Sequence, residues 1–201
     1  MGAGMKARQN TAANYNLAKL NVLVVDDNKH MLTVVKTILT ALGVRNVRTV
    51  VDAADAFKEM RTLPADIVIT DWMMSPVDGL DFVRLLRNAK DTPNPYVPII
   101  MLTGHTEMHR VLEARDAGVT EFLAKPISAH ALYGRIVTIV EHPRPFVRTK
   151  IYFGPCRRRH QKDAYKGTMR RSDDEIAAAL TEDDIDRILN PAPAAGEPAK
   201  G

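Results

Sequence analysis

Short apolar runs alternate with helical patterns five times between Val22 and Val140, and this alternation constrains the fold more than any other feature of the chain. Runs of Val, Ile and Leu without polar interruption are typical of strands that are buried on both faces of a sheet. Strict alternation of strands and helices implies a parallel sheet covered by helices on both faces, because crossover connections are right-handed. We therefore predict an α/β fold with a doubly wound, five-stranded parallel sheet. The predicted strands are Val22–Val25, Val47–Val51, Ile67–Thr70, Ile99–Leu102 and Glu121–Leu123.

The five intervening segments have the 3.6-residue periodicity and the end signals of helices. Asn28 is the predicted N-cap of the first helix, which Gly43 ends, and Ser128 is the predicted N-cap of the last. The predicted helices are the segment from Asn28 to Gly43, Ala53–Arg61, Leu80–Asn88, Thr106–Ala117 and the segment from Ser128 through Val140.

A carboxylate ends the central strand of this pattern, Asp66-Ile67-Val68-Ile69-Thr70-Asp71, and a turn-rich segment follows it. Ligands of open α/β sheets bind beyond the carboxyl ends of the strands, so Asp71 is a candidate functional group. Taken alone, Asp71 is equally well explained as a cap of the following loop.

Polar residues at the other strand ends strengthen the functional interpretation. A flavodoxin-like strand order would make the first and third strands neighbours, and Asp26, Asp27 and Asp71 would then share one edge of the sheet. Three carboxylates repel one another, and Mg²⁺ is the hard cation that would neutralise them and still keep waters for an incoming phosphate. Thr103 and Lys125 follow two further strands, so the set could hold a phosphoryl group, with Asp71 as the nucleophile.

These residues lie in motifs that resemble the receiver domain of two-component response regulators. The resemblance extends from about Leu20 to His142. Its motifs are Val24-Val25-Asp26-Asp27, Ile69-Thr70-Asp71 with Asp78-Gly79, Met101-Leu102-Thr103, and Ala117-Gly118 followed by Phe122-Leu123-Ala124-Lys125-Pro126.

The resemblance implies a role for each residue of the set. Asp71 would accept a phosphoryl group from a histidine kinase or a phosphotransfer protein, and Lys125 would pair with it. Asp26, Asp27 and Asp71 would hold Mg²⁺, with the backbone carbonyl of Met73 as an additional ligand. Thr103 and Phe122 would be the switch pair, although a plain core aromatic also explains Phe122.

The loop after Asp71 departs from the family pattern. Receivers usually have Met-Pro at this point, whereas here Met74 is followed by Ser75 and only then by Pro76. The geometry of this loop is therefore less well determined by the resemblance than the ligands are.

Charge divides the rest of the chain into segments. The net charge is +4, but ten basic residues and one acidic residue lie between Arg144 and Arg171, and the following stretch is acidic. We predict a loose arm at 1–19, a receiver at 20–142, a basic arm at 143–171, an acidic short-helix segment at 172–190 and a disordered end at 191–201. The C-terminal tail is expected to be largely irregular apart from its short helices.

Two interpretations of the basic arm stay open. Its aromatic residues could pack an extended chain on the receiver while its arginines are merely solvated. Alternatively, Arg157, Arg158 and Arg159 could bind phosphate groups of nucleic acid, membrane lipid or a cyclic dinucleotide. The arm loosely resembles arginine-rich extensions of chemotaxis-type receivers that bind cyclic di-GMP.

The acidic segment contains an amphipathic pattern, with Leu180, Ile185, Ile188 and Leu189 as its apolar positions. Residues 180–190 resemble the N-terminal peptide of flagellar switch proteins, which binds a chemotaxis receiver. The resemblance implies that these four residues could dock on a receiver. A helix this short needs a surface to dock on.

Our leading hypothesis is a stand-alone phosphorylation switch of chemotaxis-like type, not a conventional enzyme. Phosphorylation of Asp71 would change the face formed by the fourth helix, fifth strand and fifth helix, and so control binding of a partner such as a flagellar motor or another receiver. The alternative hypothesis is an effector whose basic arm binds a cyclic dinucleotide or nucleic acid. A small phosphatase is disfavoured because no separate acid or base is present. With no apolar run of about 20 residues and no signal peptide pattern, we expect a cytoplasmic protein.

Overall fold

The computed structural model describes residues 15–104 and 108–157, and a five-stranded parallel sheet lies at its centre. The strands are β1 (Asn21–Val25), β2 (Asn46–Val50), β3 (Ile67–Asp71), β4 (Ile99–Thr103) and β5 (Glu121–Ala124). Their order in the sheet is β2-β1-β3-β4-β5, and all neighbours are parallel. The predicted doubly wound sheet is confirmed.

Five helices connect and follow these strands. They are α1 (Lys29–Ala41), α2 (Ala53–Thr62), α3 (Gly79–Asn88), α4 (Met108–Ala117) and α5 (Ala129–Glu141). Asn28 and Ser128 cap α1 and α5 as predicted. The predicted start of the fourth helix at Thr106 lies outside the described residues.

Alternate side chains of each strand face opposite cores. Leu23, Val68 and Met101 belong to the core under α2, α3 and α4, whereas Val24, Ile69 and Leu102 belong to the core under α1 and α5. Every residue of β3 and β4 is buried. Burial on both faces explains why these strands read as continuous apolar runs in the sequence.

The described structure differs from the expected boundary at the N-terminal end. Residues 15–19 fall within the predicted loose arm, yet Leu17–Lys19 form a 3₁₀ helix. Leu17 is only 3% exposed and belongs to the core under α1 and α5. The Tyr15 hydroxyl donates a hydrogen bond to Glu141 near the end of α5.

The chain after α5 forms a two-stranded antiparallel hairpin instead of an irregular arm. Its strands are β6 (Phe146–Arg148) and β7 (Phe153–Pro155). The ring of Tyr96 contacts the rings of Phe146 and Phe153 with centroids 5.3 Å apart in both cases. The hairpin therefore packs on the receiver through its aromatic side chains.

A buried arginine of α3 packs against this hairpin. Arg87 of α3 is 2% exposed and donates to the carbonyl oxygen of Gly118 through Nε (3.1 Å) and Nη2 (3.0 Å). Its guanidinium also lies 5.1 Å from the centre of the Phe146 ring. Gly154 contacts Gly118 so closely that a Cβ on Gly154 would lie 3.0 Å from the Gly118 Cα. One side chain of α3 therefore contacts both the end of α4 and the hairpin.

A second anchor of the hairpin is ionic. Glu121 at the start of β5 is 1% exposed and lies between two arginines, Arg135 of α5 at 3.5 Å and Arg144 at 3.6 Å. Arg144 is the second residue before β6, so this cluster fixes where the chain leaves α5.

Candidate functional site

The carboxyl ends of four strands meet at one edge of the sheet, and each one presents a polar residue. Asp26 and Asp27 follow β1, and Asp71 and Thr103 are the last residues of β3 and β4. Lys125 follows β5. Because β3 pairs with both β1 and β4, Asp71 occupies the middle of this set.

Asp71 is buried and makes two short contacts through the same oxygen. Its Oδ1 lies 2.8 Å from Lys125 Nζ and accepts a hydrogen bond of 2.8 Å from the backbone N–H of Trp72. The N–H of Lys125 donates to the Thr103 carbonyl at 2.8 Å, which ties the lysine to the end of β4. The Asp71 carboxylate is therefore stabilised through Oδ1 by a cation and an amide.

Asp26 is the most confined acid of the set, with no exposed surface. Its Oδ1 accepts a hydrogen bond of 2.9 Å from the N–H of Asn28, but its Oδ2 is buried without a hydrogen-bond donor among the described residues. Burial raises the pKa of Asp26 above its ordinary value, and the negative charge of Asp71 adds to this effect, while the N–H of Asn28 opposes it. The one hydrogen bond from Asn28 therefore does not offset the burial of the Asp26 carboxylate.

Asp27 is exposed and is held by the loop that follows β3. The backbone N–H of Ser75 donates to Asp27 Oδ2 at 3.0 Å. Within the same loop the side chain of Met74 is buried, whereas that of Met73 is 63% exposed. The loop after β3 is therefore hydrogen-bonded to the residue that follows β1 at this edge of the site.

Gly79 closes this loop at its far end. Its N–H donates to the Trp72 carbonyl at 2.8 Å, and a Cβ at this position would lie only 2.0 Å from the Asp71 carbonyl oxygen. No side chain fits there, so the motif Asp78-Gly79 has a steric reason: only glycine lets α3 start directly against the end of β3.

The predicted switch pair is buried on two neighbouring strands. Thr103 has no exposed surface, and Phe122 is 2% exposed. Phe122 pairs in register with Met101, two residues before Thr103 along β4. It belongs to the same core as Val111 and Ala114 of α4, so the ring lies in the core that α4 covers.

The structure does not show a complete set of metal ligands. Among residues 15–104 and 108–157, no three His, Cys, Asp or Glu side chains lie close enough to hold a metal ion by themselves. The reason is visible in the contacts: Asp71 faces Lys125, and Asp27 faces Ser75. Of the three acids, Asp26 has a fully buried carboxylate oxygen, Oδ2, to which no described residue donates.

The predicted anion-binding arginines are only partly described. Arg157 lies over the Tyr152 ring at 4.0 Å from its centre, and its Nε lies 3.3 Å from Asp116 Oδ1 at the end of α4. Arg157 therefore contacts its own receiver. Arg158 and Arg159, and the predicted docking residues Leu180, Ile185, Ile188 and Leu189, lie outside the described residues, as does the rest of the segment beyond Arg157.

Sequence reasoning missed two backbone contributions to the site, the N–H groups of Trp72 and Ser75. The departure from the usual Met-Pro pattern marked the loop at Ser75 as unusual. It did not indicate that Ser75 would donate to Asp27, because no side-chain signal encodes a backbone hydrogen bond.

The described part of the chain contains no helix that is both long enough and apolar enough to cross a membrane. Residues 22–137 match the family model of the response regulator receiver domain. The chain is 30% identical over 122 residues to chemotaxis protein CheY-3 of Vibrio cholerae, which covers 61% of this chain and 92% of that protein.

Solved structures agree with this match. The structure of Vibrio cholerae chemotaxis protein CheY4 is 28% identical, with a TM-score of 0.55 over 60% of this chain and 98% of that one. The receiver domain of a Pseudomonas aeruginosa sensor histidine kinase, solved with a magnesium ion in its active site cleft, is 30% identical. Its TM-score is 0.52 over 59% of this chain and 94% of that one.

Proposed function

The chain belongs to the response regulator receiver domain family of two-component signalling, and on this basis we propose that Asp71 is its phosphoryl acceptor. The observation that carries this proposal is the 2.8 Å contact between Lys125 Nζ and Asp71 Oδ1 beside the buried Asp26. The contact places Lys125 Nζ where it can pair with the Asp71 carboxylate before phosphorylation and with the phosphoryl group after it.

The phosphoryl donor is a phosphohistidine of a histidine kinase or a phosphotransfer protein. Asp71 Oδ2 attacks phosphorus, the new O–P bond forms as the P–N bond breaks, and the imidazole leaves. The Trp72 N–H and Lys125 hold Oδ1 and orient the attacking carboxylate. Lys125 then pairs with a phosphoryl oxygen, and the Thr103 hydroxyl donates to another. This is the chemistry of a phosphoryl-accepting switch, not of a conventional enzyme.

Magnesium fits the residues at this edge of the sheet. The buried Oδ2 of Asp26 has no donor, and Mg²⁺ binds through one or two carboxylates while it keeps several waters. Asp26, Asp27, Asp71 and the backbone carbonyl of Met73 would hold the ion. When bound, it neutralises negative charge that develops on the transferring phosphoryl group. The magnesium ion in the similar Pseudomonas receiver supports this assignment.

Phosphorylation would act on partners through the face formed by α4, β5 and α5. A phosphoryl group at Asp71 attracts the Thr103 hydroxyl, and the Phe122 ring follows because the two residues lie on paired strands under α4. As the partner we propose a flagellar motor component or another receiver, because residues 180–190 resemble the receiver-binding peptide of flagellar switch proteins.

Phosphorylation of the full chain by acetyl phosphate with MgCl₂, measured by intact-protein mass, tests the acceptor. We expect the wild type to gain one phosphoryl group and the Asp71→Asn variant to gain none. Asp91→Asn is the matched control, because Asp91 lies in the loop before β4, where its carboxylate is exposed and pairs with Arg61. An Asp71→Asn variant that is phosphorylated like the wild type would exclude Asp71 as the acceptor.

A further inference from the structure

Ion pairs tie the hairpin to the junction of α4 and β5, residues 116–121. Arg157, two residues after β7, has its Nε 3.3 Å from Asp116 Oδ1. Arg144, two residues before β6, has its Nη2 3.6 Å from Glu121 Oε1. Because Glu121 is buried, this second pair is screened by solvent much less than a surface ion pair is. The two ends of the hairpin therefore contact the first and the last residue of the junction.

Between these ion pairs the hairpin packs directly against the middle of the junction. A Cβ on Gly154 of β7 would lie 3.0 Å from the Gly118 Cα and 2.6 Å from the Tyr152 hydroxyl. The Gly118 carbonyl accepts two hydrogen bonds from the buried guanidinium of Arg87, which also lies over the Phe146 ring of β6. Close-packed contacts of this kind have low compressibility and transmit a displacement. The junction therefore cannot shift without disturbing the hairpin.

The junction leads directly into the proposed switch. Phe122 follows Glu121 in β5, is buried, and belongs to the same core as Val111 and Ala114 of α4. In the proposed function, phosphorylation of Asp71 moves the Phe122 ring and changes the face formed by α4, β5 and α5. Any displacement of α4 or β5 from the arrangement described shifts the junction, and so works against the contacts that hold the hairpin.

We propose that the docked hairpin restrains the switch, so that docking of the hairpin and a phosphoryl group on Asp71 oppose each other. This inference rests on the proposed function and adds to it a regulatory element that lies beyond residues 22–137, which match the receiver family model. Coupling between two binding equilibria is reciprocal, and its usual size corresponds to a factor of about 5–150. Loosening the hairpin therefore favours binding at Asp71, and binding at Asp71 loosens the hairpin.

Beryllium fluoride, which binds to an aspartate as a mimic of a phosphoryl group, tests the inference at equilibrium in the full chain. Its Kd at saturating MgCl₂ is measured by the fluorescence of Trp72, the only tryptophan, whose N–H contacts Asp71. Gly154→Ala adds a methyl group where the junction leaves no space, and we expect it to lower this Kd about 5-fold or more. Ile151→Ala is the matched control in the same hairpin, because Ile151 is 78% exposed, and should keep the wild-type Kd within a factor of about two.

Two outcomes would overturn the inference: a Gly154→Ala Kd equal to that of the wild type, or one that is higher. A hairpin that only stabilises the fold would give the first outcome, with a lower urea midpoint and an unchanged Kd. Failure of the proposed function looks different, because the wild type itself would then bind no beryllium fluoride and gain no phosphoryl group from acetyl phosphate, and the inference would fail with it.

A second measurement needs no variant. The Cys156 N–H donates to the Pro145 carbonyl at 2.7 Å across the hairpin, and a two-stranded hairpin that leaves its support is at best marginally stable in water. NMR hydrogen exchange of the wild type should therefore show this amide exchanging about 5-fold faster or more with beryllium fluoride and MgCl₂ bound. The Asp66 N–H, which donates to the Asn21 carbonyl at the start of β1, is the reference for global opening. Unchanged or slower exchange of the Cys156 amide would overturn the inference even where Gly154→Ala fails to fold.

Discussion

Replacement of Asp26 by Asn is expected to stabilise the metal-free protein and to weaken its response to magnesium. Asp26 is fully buried, and its Oδ2 has no donor among the described residues. An unsatisfied buried acceptor costs roughly 1–3 kcal/mol, and a charged one costs more. The asparagine side chain keeps an oxygen for the Asn28 N–H and replaces the charged oxygen by an amide. We expect the variant to be about 1–2 kcal/mol more stable than the wild type at pH 7.

The difference in stability should depend on pH in a defined direction. Burial raises the pKa of Asp26, so the folded protein binds this proton more tightly than the unfolded chain does. The stabilisation that this proton provides is complete below the ordinary aspartate pKa of about 4 and is lost as the pH rises through the higher folded value. Because asparagine does not titrate, the advantage of Asp26→Asn should be small in acid and should grow toward neutral pH.

Urea unfolding followed by Trp72 fluorescence, at several pH values and with or without MgCl₂, measures both effects. A ligand at 100 times its Kd stabilises the folded state by about 2.7 kcal/mol. We expect the wild type to show this increment and Asp26→Asn to lose most of it. A variant that is less stable than the wild type at neutral pH without Mg²⁺ would refute the reasoning, because the buried carboxylate would then not be a source of instability.

Two further substitutions test packing. Phe153→Ala should destabilise the protein by about 3 kcal/mol in urea unfolding, because the ring is buried among the aromatic side chains under the hairpin. Ile151→Ala is the matched control, since Ile151 is 78% exposed, and a change above about 0.5 kcal/mol there would argue against this packing. Gly79→Ala should impair folding and Mg²⁺ binding together, because its Cβ would overlap the Asp71 carbonyl. Gly134→Ala in α5 has open space around its Cβ and should instead stabilise by up to about 1 kcal/mol, as measured by thermal unfolding.

The fold and the side chains of the site could be predicted because both follow from local sequence patterns. A strand buried on both faces, such as β3, needs an unbroken apolar run, and the polar residue that ends the run marks the edge of the sheet. The observed end of β3 at Asp71 differs by one residue from the predicted end at Thr70. The convergence of Asp26, Asp71 and Lys125 then follows from parallel topology alone.

The hairpin could not be predicted because distant residues determine it. Phe146 and Phe153 pack against Tyr96 and Arg87, which lie about fifty residues earlier in the chain. Strands of three residues have no usable periodicity, so the sequence indicates only that aromatic and basic residues alternate. The hydrogen bond from Ser75 to Asp27 was hidden for a different reason, since it depends on the path of the backbone and not on residue type.

The hairpin also decides where the rest of the chain starts. The hairpin brings Arg157, the last residue that the structure describes, to Asp116 at the end of α4, and 44 residues follow it in the sequence. Leu180 lies 23 residues further along, and an extended chain of that length spans up to about 80 Å, more than the width of a domain of this size. Reach therefore does not restrict which face of the receiver the segment 180–190 can meet.

Because residues 180–190 are part of the same chain as the receiver, a separate partner would compete with them on unequal terms for the receiver surface. A peptide joined to its target by a short linker is present at an effective concentration in the millimolar range, whatever the concentration of the protein. Docking of residues 180–190 on the chain's own receiver would therefore be first-order and insensitive to dilution, whereas binding of a separate partner depends on its abundance. Were residues 180–190 to dock on this receiver, the expression level of a separate partner, and not that of this protein, would set how often the α4–β5–α5 face is available.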